Sequence, residues 1–101
     1  MPKTAPPLLE PTVDVESKTA PQWNVILHND DVTPMDFVVW LLISLFGRPF
    51  DDAVVLMLEV HETGASVVCT CSQERAELYV EQVHSPARPR GYPFTATCES
   101  T

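Results

Sequence analysis

Asn29-Asp30-Asp31-Val32-Thr33-Pro34-Met35 joins a strand-like run, Trp23 to His28, to a helix-like run, Asp36 to Phe46. Three polar residues end the strand and a helix start follows at once. Thr33 reads as the helix N-cap, Pro34 as the first helical position and Asp36 as the acid three residues after the cap. Asn29, Asp30 and Asp31 are therefore expected on a rigid corner, where several oxygen acceptors converge on one point.

Working outward, Trp23-Asn24-Val25-Ile26-Leu27-His28 is the first strand, apolar enough for both faces to be partly covered. The first helix spans about Pro34 to Phe46, with Gly47 as its C-cap. Its middle, Phe37 to Ile43, is apolar all round, so the helix is either buried on most sides or exposes a patch. A second helix runs from about Phe50 to His61, with Asp51 and Asp52 in its first turn and Ala53, Leu56, Met57 and Val60 on one stripe. Ala65 to Cys71 is a second strand. Ser72 caps a third helix to about His84, Ser85 to Tyr92 is a proline-bearing loop, and Phe94 to Cys98 is a last short strand. The order β-α-α-β-α-β predicts an α+β two-layer sandwich of a three-stranded antiparallel sheet and three helices.

Residues 1–22 stand apart. Pro2, Pro6, Pro7, Pro11 and Pro21 break any helix, and no apolar period appears, so a disordered Pro-rich leader is expected ahead of a single domain over 23–101. The chain has 101 residues and a formal charge of −8, from 14 acids against 6 bases. That balance disfavours nucleic acid, whose binding draws on Lys and Arg against phosphate, and equally an anionic membrane surface. The longest apolar run falls far below the roughly 20 residues that span a bilayer. Three cysteines, Cys69, Cys71 and Cys98, with no signal peptide, argue for a reducing cytosol. Cys69 and Cys71 face one side of a strand, a weak zinc signal and an ordinary packing pattern.

Two constellations could carry chemistry. Asn29, Asp30 and Asp31 end one element and His61 ends another, so their ends can meet. An α-ammonium offers three N–H donors and wants acceptors, one of them anionic, which Asn, Asp and neutral His supply. The same groups allow a metal site, and Asn and Asp before a helix are also ordinary turn formers. Met35, Val38, Met57 and Val60 would line an apolar cavity beside that corner, or simply pack the core. No P-loop, Gly-rich phosphate cradle or Ser-His-Asp order is present.

The run Asn29-Asp30-Asp31-x-Thr33-Pro34-Met35 and the run Leu56-Met57-Leu58-x-Val60-His61 resemble the ClpS family, adaptors that deliver N-degron substrates to an AAA+ Clp protease. Glu77 and Val80 agree less tightly, Pro93 before the last strand also agrees, and the likeness covers about residues 23–101. The resemblance implies the same small sandwich and no enzymatic activity. It implies that Asn29, Asp31 and His61, with Asp30 adjacent, hold the α-ammonium of a substrate's first residue. Leu27, Thr33, Met35, Val38, Met57, Val60 and Phe94 would line its side-chain pocket, with Phe94 where a smaller aliphatic is more usual. Phe, Tyr, Trp and Leu are the implied first residues. The N-terminal domain of a Clp unfoldase is the implied partner, docking on the third helix near Glu74 and Tyr79. A cytoplasmic monomer without cofactor or metal is expected. The competing reading from the residues is a metal-dependent hydrolase using Asp30, Asp31 and His61.

Overall fold

The computed structural model describes residues 20–101, so the leader expected over 1–22 lies outside the described residues except for Ala20–Gln22. Three strands, β1 (Trp23–His28), β2 (Ala65–Cys71) and β3 (Thr95–Ser100), and three helices, α1 (Met35–Ser44), α2 (Phe50–Thr63) and α3 (Gln73–Ala87), follow the expected order β-α-α-β-α-β. The sheet is antiparallel in the order β2-β1-β3.

β1 sits in the middle because it holds the residues that must be dry. Val25 and Leu27 are fully buried, while Asn24, Ile26 and His28 on the alternate positions are only partly so. Val25 pairs with Cys69 on one side and Cys98 on the other, and Leu27 with Ser66 and Ala96. A register shift between Val25 and Ile26 leaves Val68 as an extra residue on β2. The Val68 carbonyl accepts from the Arg48 guanidinium at 2.6 Å. The cysteines join the inner packing. Burial pushes the Cys71 thiol up to about 11, and the neighbouring Cys69 adds to this, so it stays a neutral thiol.

The helices close over Val25 and Leu27. Ala53, Met57 and Val60 of α2, Ala76, Val83 and Ala87 of α3 and Leu41 and Leu42 of α1 complete one core. α1 packs chiefly on α2 and exposes a patch: Trp40 and Ile43 lie open while Phe37, Val38, Leu41 and Leu42 are buried. At Gly64, which ends α2, φ is +90°, a backbone that side chains with a Cβ rarely adopt.

Four boundaries differ from the sequence reading. α1 ends at Ser44 with Leu45 as its C-cap, its amide bonded to the Leu41 carbonyl at 2.8 Å, rather than at Phe46 with Gly47. The α1 N-cap is Pro34, not Thr33, with extended backbone and no side-chain cap; its carbonyl accepts the Phe37 amide at 3.1 Å. The Thr33 hydroxyl instead donates to the Asp30 carboxylate at 2.7 Å, a charge-assisted bond that turns it away from the helix amides. α3 runs through Pro86 to Ala87 and passes into a 3-10 turn, Arg88–Arg90, where a loop was expected. Fully buried Ala87 anchors that last turn, and its carbonyl accepts the Tyr92 amide at 3.0 Å. Proline costs one helical hydrogen bond there, and burial offsets it. β3 starts one residue late and extends to Ser100, because pairing with β1 continues to Trp23.

Candidate functional site

The corner is assembled by backbone first. Asn29 leaves β1 and donates its amide to the Gly64 carbonyl at 2.9 Å, so the end of the central strand is tied to the end of α2. His61 stands in the last turn of α2. One hydrogen bond thus puts Asn29 and His61, 32 positions apart in sequence, at the mouth of one cavity.

Asp30 builds the next step. Its Oδ1 accepts from the amides of Val32 at 2.7 Å and Thr33 at 2.8 Å, and its Oδ2 from the Thr33 hydroxyl at 2.7 Å. Burial raises the Asp30 carboxyl, but the bonds from Thr33 and Val32 outweigh it and hold the group below the usual carboxylate range. Asp30 is the strut of the corner, an Asx turn closed by a hydroxyl. The sequence carries the signal as an Asp with Thr three residues on, although the spacing of Thr33 to Asp36 points to a helix cap instead. With Asp30 committed, Asn29, Asp31 and His61 are the residues whose side-chain polar groups make no hydrogen bond to the protein at this corner, among the described residues.

These groups ring a cavity of about 140 Å³. Its polar side is Asn29, Asp30, Asp31, Thr33 and His61. Its apolar side is Val38 from α1, Met57 and Val60 from α2 and Phe94 just ahead of β3. All four are buried, whereas Met35 at the rim is 43 % exposed. Leu27 does not line it; it is fully buried in the core. The volume is close to that of a protein cavity that accepts one benzene ring, on the order of 150 Å³. A compact apolar floor below a rim of free acceptors suits a molecule with a positive, N–H-rich head and one planar or branched apolar tail.

The donor set does not suit a metal ion. Both Asp30 oxygens are occupied by the loop, and no group of three or more His, Cys, Asp or Glu among the described residues is arranged to hold one. Among the described residues, no helix is long and apolar enough to cross a membrane.

Glu74 and Tyr79, the partner-facing candidates, occupy different faces of α3. Glu74 is exposed in its first turn beside a shallow hollow that includes Leu78, itself 55 % exposed. The Tyr79 ring is stacked on Phe46, centroids 4.6 Å apart.

Residues 18–97 match the model of the family described as ATP-dependent Clp protease adaptor protein ClpS. The ATP-dependent Clp protease adapter protein ClpS of Desulforapulum autotrophicum is 42% identical over 79 residues, 78% of this chain and 76% of that protein. Its namesake in Oleidesulfovibrio alaskensis is 41% identical over 87 residues, 86% of this chain and 84% of the other. Among solved structures, Agrobacterium tumefaciens ClpS2 bound to L-phenylalaninamide superposes with a TM-score of 0.78 at 30% identity, over 80% of this chain and 98% of that one.

Proposed function

This chain belongs to the ClpS family of ATP-dependent Clp protease adaptor proteins, and we propose that it binds the free α-amine and large hydrophobic first residue of N-degron substrates and delivers them to an AAA+ Clp protease. It acts by binding, not by catalysis, as a monomer in the cytoplasm.

The observation that carries this reading is the join of two surfaces in one cavity: free acceptors at Asn29, Asp31 and His61 above an apolar floor of Val38, Met57, Val60 and Phe94. The ammonium donates its three N–H bonds to the Asn29 amide oxygen, the Asp31 carboxylate and a neutral His61 ring nitrogen. Asp30 adds negative charge nearby while its oxygens stay with the loop. The first side chain enters the floor, where burying a Phe or Leu contributes about 1.5–3 kcal/mol. An internal residue brings no ammonium, and desolvating the acceptors without a partner costs about 1–3 kcal/mol or more. L-phenylalaninamide, held by the Agrobacterium protein, has the chemistry this cavity asks for: a free α-amine, a benzyl group and an amide where a chain would continue.

Met35 at the rim and Phe94 in the wall select among first residues, favouring Phe, Tyr, Trp and Leu over Ile and Val. Docking to the N-terminal domain of the unfoldase falls to α3 near Glu74. Among the described residues the hydrolase reading has no assembled donor set to stand on.

The test is fluorescence anisotropy with labelled peptides that begin with Phe and differ only in acetylation of the amine. The free amine should bind and the acetylated peptide should not. Equal binding of both would remove the amine-capture mechanism.

A further inference from the structure

Two methionines line the Asn29–His61 cavity, and the fold treats them differently. Met57 lies in the middle of α2, is 9 % exposed and belongs to the core. Met35 opens α1 directly after the Pro34 cap and is 43 % exposed. The chain's third methionine, Met1, lies outside the described residues. The cavity therefore has one thioether shielded by packing and one that meets solvent at its rim.

Access decides how a thioether fares against a peroxide, because its sulfur reacts without first losing a proton. A cysteine has to become a thiolate. The thiols of this chain are poor competitors for the oxidant. Burial, and then the neighbouring Cys69, push the Cys71 thiol up to about 11. Burial and then Glu77 raise the Cys98 thiol as well. None of the three cysteines lines the cavity.

Met35 is also the place where one added polar atom matters most. Val38, Met57, Val60 and Phe94 form the buried floor, and Met35 is the apolar member on the solvent side. As a thioether it is flexible and apolar and can lean over a hydrophobic first side chain. As a sulfoxide it is polar, and covering that side chain strips water from the new oxygen. The Asp30 and Asp31 carboxylates only accept and offer this oxygen no hydrogen bond. A bond from the Asn29 amide or the His61 ring would draw those groups away from the ammonium.

We propose that Met35 is an oxidation site, and that its conversion to the sulfoxide by a peroxide weakens the cavity's grip on a hydrophobic first residue in a reversible way. The sulfur gives an electron pair to one oxygen of hydrogen peroxide. The S–O bond forms, the O–O bond breaks, and the second oxygen leaves as water with both protons. Sulfur is oxidised by two electrons and the peroxide is reduced by two. Methionine sulfoxide reductases reverse the change. The inference rests on the amine-capture reading given above and adds regulation of the same site.

The experiment treats the full chain with hydrogen peroxide, locates each added oxygen by mass spectrometry of proteolytic fragments, and titrates a labelled Phe-first peptide by anisotropy. Oxygen should appear on Met35 well before Met57. Affinity should fall about five- to thirtyfold, as for covering a polar group that lacks a partner. The two sulfoxide reductases, one for each epimer, should restore it, and dithiothreitol alone should not. Met35→Leu, which keeps all three cysteines, should have the same affinity before and after peroxide, whatever its starting value. Oxidation of Met57 as fast as Met35, unchanged affinity of the Met35 sulfoxide, or an equal loss in Met35→Leu overturns the proposal. A loss of affinity that comes with a large fall in Tm also overturns it, since the core would then be the target. Failure of amine capture shows separately, as equal binding of free and acetylated Phe peptides by the untreated protein.

Discussion

Asn29 donates its backbone amide to the carbonyl of Gly64 at 2.9 Å, and through that bond the end of β1 and the end of α2 become one polar rim. The left-handed backbone of Gly64 follows directly after the last helical residue, so the chain turns sharply and presents its carbonyl to Asn29. Everything proposed for the cavity depends on this juncture, since it brings free side-chain acceptors of two distant segments to the same opening.

Replacing Asn29 or His61 by Ala removes one acceptor from the ammonium. A hydrogen bond to a charged group contributes about 1.5–3 kcal/mol, so affinity for a Phe-first peptide should fall about 10- to 150-fold. Thermal stability should hardly move, because these side chains form no hydrogen bond within the protein, among the described residues. Anisotropy titration and a melting curve on the same samples separate the two effects; a large loss of Tm would mean that the residue supports the fold instead.

Cavity size sets the ranking of first residues. About 140 Å³ suits a phenyl ring and crowds an indole, so Trp should bind more weakly than Phe or Tyr. Phe94→Leu should recover Trp, since overpacking of this kind costs about 1–3 kcal/mol. Met35→Ala should admit Ile and Val, whose Cβ branch sits close to the backbone at the rim. Peptides identical after the first residue, titrated against wild type and both variants, give the answer. A wild-type preference for Val, or no change with Met35→Ala, would take Met35 out of its role as a gate.

Asp30 should behave as a structural residue. Asp30→Ala leaves two amides and a hydroxyl without their acceptor and should destabilise by about 1–3 kcal/mol, a fall in Tm of about 4–8 °C for each kcal/mol. Thr33→Val removes one of the three bonds and should cost less. Because the folded carboxyl titrates below its unfolded value of 3.8, its contribution is complete above that pH and is lost as pH falls through the folded value. Melting curves for wild type and Asp30→Ala between acid and neutral pH should converge at the acid end.

His84 makes a second pH dependence. Its Nε2 accepts the Ala96 amide at 3.0 Å, while Nδ1 lies 3.2 Å from the Arg88 guanidinium. Burial first, and Arg88 next, lower its pKa below 6.5, with Glu81 and the Ala96 contact acting the other way. The unfolded chain therefore binds the proton more readily than the folded one. Stability from this site is full above about pH 6.5 and declines as pH drops toward the folded value. His84→Gln keeps an acceptor for Ala96 without titrating, so its Tm should fall less than that of wild type between pH 7 and 5. Parallel curves would show that His84 carries no such linkage.

Much of this molecule was legible before folding. The apolar run from Trp23 to His28, the run from Asn29 to Met35 and the apolar stripe beside His61 announce their elements because period and turn chemistry are local properties. Continuation of α3 through Pro86 was not legible. Proline argues for a loop, and only the burial of Ala87 against the core reverses that. Thr33 read as a cap because its spacing to Asp36 fits one, while its hydroxyl in fact serves Asp30. Leu27 was grouped with the pocket, yet a central strand places it in the dry interior.

By itself, then, the sequence determined the two-layer class, the order of elements and the group of residues at the corner, all consequences of neighbours a few positions apart. Tertiary structure decided which acceptors stay free, how large the cavity is and that the open face of α1 carries Trp40 beside Arg90. Those outcomes depend on partners far along the chain: Gly64 for Asn29, Phe94 for Val38, Tyr92 and Arg90 for Phe37. No local period encodes such pairings, because each is set by how the helices and strands pack once their apolar faces have left water.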